Sequence, residues 1–358
     1  MFLSVMKSLI TRIGLFCLLW VLALPGQAGE AVGLYEAEVP VKGQGSDERL
    51  AAYAAAMAQV VVKLTGDRGA PQSPRLSRVM ASAQKWVQQY SYRAQEAAAL
   101  RAEGYSRLLL VQFDERSLSQ ALVAAAVPLW GRNRPDMMVW LALEDGPSRT
   151  LLAANDGTEL ALALAIHTRR RGLPLVLPTA GEQMGLSFAD VWADARQPIM
   201  NSSKRYGANA VLVGRISRLA NGSWQGRWSL YQGEDIKRWS GDEVEQVAVV
   251  ASGVDGAADR FAQRYAQLLT TGTANQVALL VTDVTTLAAY AQAQQYLLSL
   301  DLITKVQVTK VQGSEVLFTL DVRGDASGID SAINLGGILR RSTAVRADNQ
   351  TLVYQLLP

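Results

Sequence analysis

The stretch MMVWLALED, Met137 to Asp145, is apolar at successive positions rather than at alternate ones. Strand side chains point alternately to opposite faces, so such a run belongs in a sheet covered on both sides. It demands an α/β layer around itself, and the following residues supply one. Thr158 opens a helix through Leu160, Leu162, Leu164 and Ala165 to Arg171, and LPLVLP gives a next strand. One further helix carries Phe188, Val191, Trp192 and Met200. RYGANAVLVGRI then reads as helix, glycine, strand, a βαβ-like crossover. SWQGRWSLYQGEDIKRWSG continues as an antiparallel meander, turned by Gln232 to Asp235, and a helix through Val254, Phe261, Tyr265 and Leu268 closes the unit.

A smaller unit is expected on each side. Before it, LYEAEVPV is a strand. Ser46 can then N-cap a helix whose Leu50, Ala54, Met57, Val61 and Leu64 recur at helical spacing up to Gly66. A short helix after Pro74, the strands WVQQYSYRA and SRLLLVQFD, and a helix begun by Ser117 complete a β-α-α-β-β-α order. After it come VALLVTDV, a helix through Leu287, Tyr290 and Leu297, a TKVQVTKV/EVLFTLDV hairpin turned by Gln312-Gly313, a helix through Ile333 and Leu339, and TLVYQLL. That is the ferredoxin-like β-α-β-β-α-β order. The fold class is therefore α+β, three small mixed α/β units over about 29–130, 131–272 and 273–358.

Residues 1–28 read as a secretory signal peptide. Lys7 and Arg12 precede the apolar run Ile13–Leu24, with small residues Gly26 and Ala28 before the expected cleavage point. The run is shorter than the roughly 20 residues a membrane span needs, and Cys17 lacks the small residues before it that a lipoprotein would show. Cleavage removes two basic residues and the only cysteine, so 35 basic against 32 acidic residues becomes 33 against 32. A near-neutral, thiol-free exported chain uses no disulfide, thiolate or Cys-ligated metal and shows no basic face for nucleic acid. The expected location is the periplasm, with no integral span in the mature chain.

Candidates for chemistry are few. His167, beside Arg169, Arg170 and Arg171, is the only histidine, too few for most zinc sites. No G-x-S-x-G elbow surrounds a serine. Asp190 and Asp194 stand four apart, and Glu144-Asp145 end a strand, both compatible with solvated surface acids. Gly336-Gly337 ahead of Arg340-Arg341 is a faint anion signal. No catalytic residue, cofactor or metal is expected. Trp192, Trp224, Trp228 and Trp239 fall close in sequence; they are core residues or a platform for sugar rings. Trp130, Gly131, Arg132, Arg134 and Pro135 look like a stiff interdomain joint, because Pro135 holds Arg134 extended and no helix N-terminus follows to make an anion site. In that joint the arginines are expected to stay solvated or to pair with acids across the boundary.

The motifs VPLWGRNRPDMMVWLALEDG, EAEVPV, VVVKLTGDR, WVQQYSYR, RGLPLVLP, ADVWAD and RYGANAVLVGRI together resemble the proteobacterial family known as domain of unknown function 2066, over about residues 33 to 270. The resemblance implies an exported protein and brings no activity or catalytic residue with it. The RYGANAVLVGRI crossover, meander and ADRFAQRYAQ helix are also similar to small domains of envelope accessory proteins, among them secretion lipoproteins and penicillin-binding-protein activators. Such domains bind partners. Two functions are therefore expected: a non-catalytic periplasmic protein that docks envelope proteins, or a protein that binds or cleaves cell-wall peptidoglycan through Trp224 and Trp228 with Asp190 or Asp194.

Overall fold

The computed structural model describes residues 33–97, 101–154, 156–268, 275–300, 302–323, 326–342 and 351–357. The expected leader, residues 1–28, and the expected 272/273 boundary lie outside them.

The first unit contains β1 (Glu36–Val41), α1 (Ser46–Thr65), the short α2 (Ser77–Ala81), β2 (Val87–Ala94), β3 (Arg107–Phe113) and α3 (Glu115–Ala124). Its three strands are antiparallel in the order β1-β3-β2. Tyr53, Met57, Val60, Val61 and Leu64 of α1 bury against Val39, Leu109 and Val111. The helix stops at Gly66, whose φ of 71° is a left-handed cap that glycine adopts without strain. Its other end differs from expectation: Gly45 is the N-cap and makes no side-chain cap bond, while Ser46 is already helical. Likewise α3 begins at Glu115 rather than at Ser117, and Asp114 caps it, accepting the Ser117 amide N–H at 2.8 Å. A carboxylate there meets the free amides of the first turn.

The middle unit contains β5 (Met137–Asp145), β6 (Ser148–Leu151), α4 (Glu159–Arg171), β7 (Leu175–Val176), α5 (Phe188–Trp192), α6 (Arg196–Ser203), β8 (Ala210–Arg218), β9 (Trp224–Gln232), β10 (Asp235–Glu243) and α7 (Gln246–Tyr265). The strand order is β10-β9-β8-β5-β6, with β7 beside the start of β5. β5 and β8 run parallel and the β8-β9-β10 meander is antiparallel. The doubly apolar β5 is covered on both faces. Val139 and Leu141 join Leu164, Leu212, Val254 and Phe261 under α4 and α7. Met138 and Trp140 join Val191, Ile199, Val211 and Tyr231 under α5 and α6. The single helix expected from Phe188 to Met200 is two helices, broken at Asp194, whose φ is 55°.

The third unit contains β12 (Asn275–Thr282), α8 (Leu287–Ser299), β13 (Ile303–Gln312), β14 (Glu315–Val322), α9 (Ala326–Leu335), β15 (Leu339–Arg341) and β16 (Leu352–Leu356). The ferredoxin-like arrangement of β12, α8, β13, β14 and α9 is present, with one addition. Leu339 opens β15 instead of continuing the helix, which ends beside Gly336 and Gly337. The extra strand reverses the chain once more, so β16 enters parallel to β12 and the order becomes β13-β14-β12-β16-β15.

Between the first two units, β4 (Pro128–Leu129) pairs antiparallel with β11 (Gln267–Leu268), so the exit of the first unit lies against the end of the middle one.

Candidate functional site

The expected joint is a buried polar assembly. Trp130 is 1% exposed and Arg134 0%, with the guanidinium carbon 4.1 Å from the Trp130 ring centroid. Arg134 donates to the carbonyls of Gly131, Trp130, Arg171, Gly172 and Lys63, at 2.5–3.1 Å. Lys63 ends α1 in the first unit; Arg171 and Gly172 end α4 in the middle unit. Two helix C-termini, each carrying partial negative charge on unpaired carbonyls, thus converge on one cation. This departs from the solvated or acid-paired arginine expected there. Arg132 pairs with Glu115, and Pro135 is buried.

A second layer crosses the same boundary. Arg171, only 5% exposed in its side chain, donates to Asp255 and Asp259 of α7 at 2.7 Å each and to the Gly66 carbonyl at 2.8 Å. Arg68 of the first unit reaches the same two carboxylates at 3.3 and 2.9 Å. A Cβ on Gly66 would lie 2.2 Å from Ala262 Cβ, and one on Gly172 would lie 2.6 Å from Arg134 Nη1, so both glycines permit the close approach. Lys63 gives its ammonium to the Gly33 and Glu36 carbonyls at 3.0 and 2.7 Å. Burial, and then the neighbouring Arg134 charge, push its pKa down to about 8.

The four tryptophans do not share a face. Trp228, 1% exposed, fills the layer between sheet and α7, with Gly214, Gly226 and Gly253 against its ring. Trp224 and Trp239 pack on that same side, Trp239 beneath the Arg260 guanidinium at 4.1 Å. Trp192 sits on the opposite side, stacked on Phe188 at 5.3 Å. The expected carboxylate partners are occupied elsewhere. Asp190 forms a capping box with Ser187, whose hydrogen bonds hold its pKa low. Asp194 lies on the Trp192 side. The platform of Trp224 and Trp228 with Asp190 or Asp194 is therefore not assembled, because β9 places alternate residues on opposite faces.

Asp194 instead organises a polar cluster where α5 and α6 stop covering the sheet. Its side chain is 9% exposed and accepts from Tyr231 at 2.7 Å, Ser229 at 2.7 Å and Arg238 at 3.3 Å, with Arg215 3.7 Å away. Burial, then the bond to Asp194, push the Tyr231 hydroxyl up to about 12. Beyond this cluster the same face carries Arg215, Ser217, Gln225, Arg227 and Ser240, at the carboxyl ends of the parallel strands β5 and β8. Open α/β sheets bind ligands at that end. Sequence reading passed over these residues, although Arg215, Arg227 and Arg238 on successive strands of a meander carry the same parity as Ser229 and Tyr231.

The remaining candidates have structural employment. Half-buried His167 has its pKa lowered by burial and by Arg170. Glu144 and Asp145 pair with Arg149 and Arg218. Gly336 packs against the Tyr296 ring and donates its amide to the Tyr296 hydroxyl at 3.1 Å, while Arg341 pairs with Asp330 at 2.7 Å. A shallow depression of about 440 Å³ lies beside Tyr53 and Tyr90 of the first unit. Among the described residues no three His, Cys, Asp or Glu side chains gather to hold a metal, and no helix is long and apolar enough to cross a membrane.

Residues 28–131 match the family described as Domain of unknown function (DUF8605). The match takes in the first unit and ends within the joint, at Gly131. It overturns the expected membership of domain of unknown function 2066, whose motifs were read as running on to residue 270. No curated protein matches the chain.

Proposed function

We propose that this chain is a non-catalytic periplasmic protein of the cell envelope that works by docking other envelope proteins. The observation that carries the reading is the Arg134 assembly. Five carbonyl bonds, a tryptophan face and two shared carboxylates hold the first and middle units in one orientation. Independent domains joined by a linker would spend few buried charges on their contact, since an uncompensated buried charge costs about 3–5 kcal/mol. A fixed orientation is useful where two surfaces must meet one partner together. The carboxylates that could have served chemistry are instead capping helices or pairing with arginines, and His167 is half-buried beside Arg170, which disfavours its charged form.

The test is photo-cross-linking of the full chain in intact cells, with reactive residues placed on the exposed face of each unit. One reproducible adduct with an envelope protein is expected, formed from positions on both the first and the middle unit. Recovery of the uncross-linked monomer alone, or of a cytosolic chain with Met1 retained, contradicts the reading.

A further inference from the structure

We propose that the uncovered half of the middle sheet is a carboxylate-binding site, with Arg215 and Arg227 as its paired donors and an acidic segment of a partner protein as its occupant. This rests on the docking function above and specifies the partner's chemistry.

Three features converge. Arg215 and Arg227 are direct Cα partners across the antiparallel β8/β9 pair. Opposed residues there stand about 4.5–5.5 Å apart at Cβ, where like charges repel and destabilise the sheet. Arg215 also has an unanswered donor. Its side chain is 17% exposed, its Nε is buried with no acceptor, and the closest carboxylate oxygen, on Asp194, is 3.7 Å from Nη2. Asp194 is committed elsewhere: Oδ1 accepts from Tyr231, and Oδ2 from Ser229 and Arg238. A guanidinium offers five N–H groups in a planar fork, and a buried donor left without an acceptor is destabilising. Arg227, by contrast, is exposed and anchored through its Nε to Gln225 Oε1 at 2.9 Å. One more carboxylate would pair with the terminal N–H groups of Arg215, relieve the repulsion with Arg227 and reach the flanking hydroxyls of Ser217 and Ser240.

The surroundings select the occupant. Glu144 and Asp242 lie on the same face, opposite Ser217 and Gln225, and Asp145 and Glu243 end the neighbouring strands. Glu144 and Asp145 are neutralised by Arg149 and Arg218, so Asp242 and Glu243 are the rim acids that repel a broad anionic surface such as a lipid bilayer. A narrow chain that delivers one or two carboxylates between the rims is tolerated.

The test is calorimetric titration of the full chain at low salt with an acetylated, amidated hexaglutamate peptide, and with hexaglutamine as control. Hexaglutamate should bind and hexaglutamine should not. Arg227→Glu, a change at an exposed position, should weaken binding about tenfold or more, and Arg215→Gln similarly. Added salt should weaken it as well. Absence of hexaglutamate binding, or equal binding by Arg227→Glu with an unchanged circular dichroism spectrum, overturns the proposal. So does sedimentation of the protein with phosphatidylglycerol vesicles in the absence of hexaglutamate binding, which would assign the site to lipid phosphate. An in-cell adduct formed equally by Arg227→Glu would remove this site while leaving the docking function intact. Loss of every adduct in the wild type would remove that wider function instead.

Discussion

Lys63 shows at one residue how the joint is built. Its backbone carbonyl accepts a hydrogen bond from Arg134 at 2.5 Å while its ammonium donates to the Gly33 and Glu36 carbonyls. Two cations are thus buried side by side, and the carbonyls of α1, α4 and the chain leading to β1 supply the compensating dipoles. The pKa of Lys63, about 8 when folded against 10.5 for an ordinary lysine, has a sign that can be checked. The unfolded chain binds the proton more tightly, so this residue's contribution to stability is complete above the unfolded value and is lost as pH falls through the folded one. Between about pH 9.5 and pH 7 the urea midpoint of the wild type should therefore fall relative to that of Lys63→Met. A constant difference between the two proteins across that range would mean that the ammonium is hydrated.

Among the elements, the α5–α6 corner is the informative one. Asp194 adopts φ 55° there and ties the corner to β9 and β10 through Ser229, Tyr231 and Arg238. Asp194→Ala loses all three bonds and adds the left-handed cost of an alanine, together about 2–4 kcal/mol. Asp194→Asn keeps an acceptor and a residue type that tolerates this conformation, so chemical denaturation should show a distinctly smaller loss. Equal losses would mean that the charged carboxylate, and not the left-handed turn, fixes the corner. The sequence around it, ADVWADARQP, contains no glycine and keeps helical spacing, which is why one continuous helix was expected. Periodicity revealed α1, α4, α7, the buried β5 and the meander, because each buries a stripe or a face long enough to leave a pattern. It did not reveal β6, four mostly exposed residues, whereas β7, two residues long, lies within the strand expected at LPLVLP. β15 was hidden because LGGILRRS has apolar residues on either side of its glycines, and only the Tyr296 ring pressed against Gly336 explains why the helix stops. The arginine pair on β8 and β9 was unreadable for a different reason: it depends on register across two strands. The buried role of Arg134 was unreadable because its acceptors are backbone carbonyls 37 and 71 residues away, which no side-chain pattern records.

On the scale of the whole molecule, two units share one polar seam and the third keeps its own core of Leu279, Leu297, Phe318, Ile333 and Tyr354. The match to Domain of unknown function (DUF8605) ends at the seam, so the matched unit is followed here by a second layer that closes over its exit and supplies Arg134, Arg171, Asp255 and Asp259. Coupling of the first two units is the central claim, and native-state hydrogen exchange of the full chain measures it most directly. Amides at the centre of β3, in the first unit, and of β8, in the middle unit, should open with the same free energy, and Arg134→Met should lower both by about 3 kcal/mol or more. Exchange of β3 at a much lower free energy than β8 in the wild type, with Arg134→Met changing only one of them, would show that the units open independently and would contradict the account.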